Sequence, residues 1–120
     1  MSYFVSPPDE TSWEFDVDVF RERLSEWQGI KFHESVDPAG LNVLEWSIPL
    51  RFGEIFAALD HSAQVIHMDG FLGDCALFAL WLRDLVPPDV ELLFYDESYS
   101  ADVALLTFTR ESDLVRAFGS

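Results

Sequence analysis

Cysteine is almost absent from this chain. Its one example, Cys75, excludes an internal disulfide and any metal site built on several thiolates. Basic residues are nearly as scarce: Lys and Arg together number 7, against 22 Asp and Glu, for a formal charge of −15. That balance argues against direct binding to a nucleic-acid backbone, which needs clustered Lys and Arg. Long apolar runs are missing too. The longest is CALFALWL, Cys75–Leu82, far short of the roughly 20 residues that span a bilayer as a helix. The first residues, MSYFVSPPDETS, lack the basic and then apolar regions of a secretory signal. No membrane association and a cytoplasmic location are therefore expected, and a lone thiol suits a reducing compartment. The Walker pattern, G-x-G-x-x-G, G-x-S-x-G and H-E-x-x-H are all missing, as are internal repeats and low-complexity tracts.

What the chain does have is material for a core. Hydrophobic residues make up 49% of its 120 positions and aromatics 15%, including 11 Phe and 4 Trp. A chain of this length can bury roughly two-thirds of its unfolded surface, so one globular domain over 1–120 is expected. The excess negative charge keeps such a domain soluble and draws it toward positively charged surfaces.

Periodicity divides the chain. Tyr3–Val5 suggests a short edge strand closed by Pro7-Pro8. Val17, Phe20, Leu24 and Trp27 recur at helical spacing behind Asp16, a good N-cap, and Gly29 is a natural terminator; this predicts a helix over 16–28. From Ile30 the period becomes two, giving strands at 30–35 and 42–48 around the turn Asp37-Pro38-Ala39-Gly40. Residues 52–60 and 63–69 read as a hairpin, although GEIFAAL in the first arm also suits a short helix. A helix over 72–86, apolar nearly all round, is stopped by Pro87-Pro88, with Asp74 and Arg83 at the ends its dipole favours. Glu91–Tyr95 is apolar on both faces and is the best central-strand candidate. A final strand over 102–108 precedes a helix capped by Thr109 and carrying Leu114, Val115 and Phe118. The strands do not alternate strictly with helices, which predicts an α+β fold: an antiparallel sheet of about five to six strands with helices mainly on one face.

Chemistry-bearing residues are few. Cys75 sits in an apolar run, where a free thiol is an inert core residue. His33 and His67 lie on separate strands that permit a shared face, with Glu34 or Asp69 as neighbours, but no metal-ligand spacing accompanies them. Gly70 and Gly73 precede the 72–86 helix without a Lys and between Asp69 and Asp74, so a turn is the better reading than an anion site. Asp96, Glu97 and Asp102 lack the alternation and the glycine of a calcium loop. The turn YDESYSAD is left: Tyr95 and Tyr99 among Asp96, Glu97 and Asp102 combine rigid rings with charge suited to a basic protein surface.

The segment WLRDLVPPDVELLFYDESYSADVAL, Trp81–Leu105, resembles a pattern in small acidic uncharacterised bacterial proteins: an aromatic helix, an LVPP stop and an ELLFYDE strand. In size, acidity and α+β pattern the chain is similar to immunity proteins of bacterial toxin–immunity systems. That similarity implies a non-enzymatic protein, without cofactor, that binds a basic toxin or effector and occludes its active face. Two other expectations stand beside it: a small-molecule or metal-binding or catalytic pocket near His33, His67 and Trp46, and an accessory subunit of an oligomer.

Overall fold

The structure, a computed structural model, describes residues 2–8, 13–33, 42–98 and 102–119. Along the chain run β1 (Ser2–Ser6), α1 (Val17–Leu24), β2 (Lys31–His33), β3 (Asn42–Pro49), β4 (Glu54–Asp60), β5 (Ile66–Asp69), α2 (Leu72–Leu85), β6 (Leu93–Asp96), β7 (Asp102–Ala104) and α3 (Glu111–Gly119). The fold is α+β, with an antiparallel sheet of seven strands among the described residues rather than five to six, in the order β2-β3-β4-β5-β1-β6-β7. The ambiguous GEIFAAL segment is strand. The turn expected at 37–40 lies outside the described residues.

The first strand is not at an edge. β1 pairs with β5 through Phe4↔His67 and with β6 through Phe4↔Tyr95, so both its sides are occupied. The reason is visible in SYFVS: Tyr3 and Val5 point to one face and Phe4 to the other, the two-sided apolar pattern of an interior strand. Pro7 follows the last paired residue and takes no donor from the ladder. The edges belong instead to the three-residue strands β2 and β7.

One face of the sheet holds the core. Leu44, Trp46, Ile48, Ile55, Leu59, Ile66, Met68, Val5 and Phe94 point inward together and are buried. α1, α2 and α3 close over them. Phe20 of α1 meets the edge of Trp46 (centroids 5.5 Å apart), Phe78 of α2 packs on the same indole, and Phe118 of α3 meets Tyr3 and Phe94 edge-on. Each fully buried aromatic contributes about 1.5–3 kcal/mol through removal from water. α1 is capped as expected, Val19 N–H donating to Asp16 Oδ1 at 3.2 Å, but it stops at Leu24 rather than 28. Its successors tighten into three-residue turns, with Trp27 N–H donating to the Leu24 carbonyl. Gly29 then reverses the chain at φ +79°, with Pro49 within 2.8 Å of where a side chain would begin.

The last strand is shorter than the expected 102–108. Leu105 N–H still donates to the Leu92 carbonyl at 2.8 Å, after which the chain turns away. Thr109 accepts from Leu106 N–H and closes that turn, leaving Arg110 as the cap: its N–H donates to Asp113 Oδ2 at 2.9 Å. Arg83, 4% exposed, explains the departure. Its guanidinium donates to the carbonyls of Val90, Leu105, Val86 and Pro87 at 2.6–3.2 Å, tying the end of α2, the Pro87-Pro88 turn and the chain after β7 to one point.

Candidate functional site

Among the described residues, no helix packs on the other face of the sheet. Pairing registers place a single row of side chains across it: His33 of β2, Glu45 of β3, Ala58 of β4, His67 of β5, Phe4 of β1, Tyr95 of β6 and Asp102 of β7. Directly paired residues share a face and stand about 5 Å apart, so this is a physical row. Its centre is a run of three rings. Phe4 stacks on His67 with centroids 5.0 Å apart and planes within 21°, and on Tyr95 at 5.4 Å and 14°. The Tyr95 hydroxyl is fixed by a 2.8 Å hydrogen bond with Ser6 Oγ.

Carboxylates surround the rings. Asp60 precedes the row, Asp69 and Glu97 follow it, and Glu45 and Asp102 stand within it. Asp69 accepts from Ser2 Oγ at 2.7 Å and lies 3.9 Å from His67 Nε2. Lys31 is the cation among the described strand residues of this face. A bulge in β3 between Asn42 and Leu44 brings Asn42 opposite Asp60. The result is a cleft of about 450 Å³ whose floor includes Phe4, Ala58 and His67 and whose rim includes Asp60, His61 and Glu97. Asp60 also shapes that rim: its Oδ1 accepts from Ser62 Oγ and from the N–H groups of Gln64 and Val65.

The structure separates the residues singled out in the acidic turn. Tyr95 is the third ring of the row, and Asp102 is its exposed end. Glu97 is exposed and lines the cleft. Asp96 pairs with Tyr3 on the helix side and is 8% exposed, so it is not offered to a partner; strand alternation sends it inward. Tyr99 lies outside the described residues.

The expected pocket of His33, His67 and Trp46 does not assemble. The two histidines do share the row, but three strand spacings separate them, about 14 Å, with Glu45 and Ala58 between. Trp46 points into the core at 1% exposure. Glu34 lies outside the described residues. His33 Nε2 is 2.9 Å from Ser47 Oγ, but Ser47 is 1% exposed, which closes that hydroxyl to a substrate. No group of three His, Cys, Asp or Glu side chains among the described residues is placed to hold a metal ion. Cys75 is fully buried, and burial, with the neighbouring Asp74 charge, pushes its thiol up to about 12. Asp74 serves the fold, since its carboxylate accepts Phe52 N–H at 3.1 Å and binds the β3–β4 turn to the start of α2.

Phe4, Ala58 and Glu45 were not legible as site residues, because the row exists only once the strand order is known. The one signal in the sequence was the two-sided apolar pattern of β1, which marks it as interior. Among the described residues, no helix is long and apolar enough to cross a membrane. Compared with known proteins, the chain matches no family, no curated protein and no solved structure at a significant level.

Proposed function

We propose that this chain is a non-enzymatic binding domain for a basic protein, of the immunity type, and that it engages its partner with the face of its sheet opposite α1, α2 and α3. The observation that carries this reading is the coincidence of a −15 charge with a sheet face on which rings lie among Glu45, Asp60, Asp69, Glu97 and Asp102. Charge of one sign around an open surface steers an oppositely charged partner and sets its orientation, while half-buried rings supply the contact that holds it. Tyr95, Glu97 and Asp102 contribute from the turn, and Phe4 and His67 from the centre. Occlusion of a toxin or effector active face follows if that face is basic. The reading puts the protein in the cytoplasm, where its single thiol stays reduced.

Capture of partners from the producing cells, followed by calorimetry on the purified pair, tests it. The expected result is a basic protein whose affinity falls steeply with added salt and drops at least about tenfold when Glu97 and Asp102 are both changed to Lys, with the unfolding midpoint kept. Tight binding that ignores both salt and these substitutions overturns the reading.

A further inference from the structure

The stacked row has a missing rung. His67 carries Phe4 on one side, but the next position of the row is Ala58, whose methyl group leaves the opposite side of the imidazole without a ring among the described residues. Beyond Ala58 the row resumes with Glu45. The gap forms part of the floor of the 450 Å³ cleft. Asp60 stands in the row on one side of it, Asp69 of the neighbouring strand in the row on the other, and Glu45 beside it, while Glu97 lies at the far end of the cleft. A flat group entering there would extend the stack by one member and meet carboxylates at its edges.

We infer that the rung above Ala58 receives the guanidinium of an arginine from the basic partner, which makes this a specificity site within the binding face proposed above and rests on that reading. Guanidinium is planar, stacks on aromatic faces, remains charged and presents a fork of N–H donors to carboxylates; an ammonium ion has the charge without the plane. A nucleobase would also stack, but its phosphates would be brought against Asp60, Glu97 and a chain of −15 charge. Flat shape and positive charge together therefore select arginine over lysine and over nucleotides.

The test uses two blocked peptides, Gly-Arg-Gly-Arg-Gly and Gly-Lys-Gly-Lys-Gly, and a short single-stranded oligonucleotide, each titrated into the full chain at low salt with NMR detection. The arginine peptide is expected to bind about fivefold or more tighter than the lysine peptide and to shift the His67 and Phe4 ring resonances. Ala58→Phe fills the rung and should remove the preference, while Ala58→Ser keeps it. His67→Ala, at a half-exposed position, removes the stacking surface without filling the cleft and should also equalise the two peptides, so the inference does not depend on one variant folding. Equal affinity of the parent for both peptides, an unchanged preference in Ala58→Phe or His67→Ala, or tighter binding of the oligonucleotide overturns it. Salt-dependent binding of both peptides without discrimination removes the arginine site and leaves the basic-partner reading intact. Absence of binding by either peptide removes the arginine site as well, and the wider reading then stands or falls by the partner-capture experiment.

Discussion

Phe94 and Tyr95 are consecutive in β6, and the sheet sends them to opposite faces. Phe94 is fully buried, stacked on Tyr3 at 5.5 Å and met edge-on by Phe118 at 5.3 Å. Tyr95 stacks on Phe4, keeps its hydroxyl on Ser6, and has Asp102 as its cross-strand neighbour. Both faces use aromatic rings, but the inner one covers its rings with helices, whereas among the described residues no helix covers those of the outer one. Burial alone accounts for the inner face. On the outer face, rings set among carboxylates contribute little to a core, and the proposed function assigns them to recognition.

The contrast can be broken by a pair of truncations. Phe78 of α2 touches Trp27, Trp46 and Trp81 and is fully buried; Phe56 lies on the outer face and is 52% exposed. Phe78→Ala is expected to lower unfolding free energy by about 3–5 kcal/mol in urea titration, and Phe56→Ala by no more than about 0.5 kcal/mol. If Phe56→Ala costs more than about 2 kcal/mol, the outer face is a core surface and the contrast between faces is lost.

Arg83 sharpens the same contrast, because it is a charge placed on the finished side. Burial depresses its pKa, partly opposed by Asp84 and Asp89, and four carbonyls take the place of water around the cation. Arg83→Met leaves those carbonyls without their donor and should cost about 3 kcal/mol, and Arg83→Lys should recover less than half, since an ammonium group cannot reach four acceptors in a plane. Thermal unfolding of the two variants measures this. Full rescue by lysine would show that charge near the α2 terminus, rather than the guanidinium fork, is what the site needs.

Sequence periodicity made most of the inner face legible, because burial imposes a repeat. Leu44, Trp46 and Ile48 in β3 and the apolar sweep of α2 predicted their elements within a residue or two. Boundaries failed where long-range contacts decide them. α1 ends early because Trp27 turns toward Phe78 and Trp81, and β7 ends early because Arg83 holds the Leu105 carbonyl. The candidate site was legible at Tyr95, Glu97 and Asp102, where charge and rings are neighbours in sequence, and in the shared face of His33 and His67 with Asp69 beside it. Phe4, Ala58 and His67 meet through strand order, and no local pattern encodes that β1 inserts between β5 and β6. Asp96 was misplaced for the converse reason: proximity in sequence to Glu97 hid the alternation that turns it inward.

Cys75 gives an effect confined to alkaline pH, with a clear sign. Its thiol is held at about 12 in the folded protein against an ordinary value of 9.0, with burial the main cause. The folded state therefore keeps its proton where the unfolded chain loses it. The associated stability is whole below pH 9 and declines as pH rises toward 12. Tyr3, also raised by burial, adds a decline of the same sign. Chemical denaturation across this range should show stability falling with pH, less steeply in Cys75→Ala. At pH 8, iodoacetamide should label Cys75 only on the unfolding timescale, and rapid labelling of the native protein would contradict its placement in the core.

The smallest effect on the fold belongs to the outer face. Glu97 and Asp102 are exposed on a molecule already carrying −15, so their charges repel the rest of the chain and gain little from local contacts. Glu97→Gln and Asp102→Asn are each expected to change stability by less than about 0.5 kcal/mol, toward greater stability at low salt, with the gain disappearing as salt is added. Affinity for a basic partner should move the other way, falling with each substitution. No inner-face substitution should produce that opposition, since Phe78→Ala loses folding and binding together. Residues that cost the fold a little and serve the partner are expected at a binding surface, whereas solvated charges with no further role would leave affinity unchanged. Thermal unfolding and calorimetry on the same two variants, each at low and physiological salt, separate these cases: opposite signs assign the outer face to recognition, and unchanged affinity returns it to solvent.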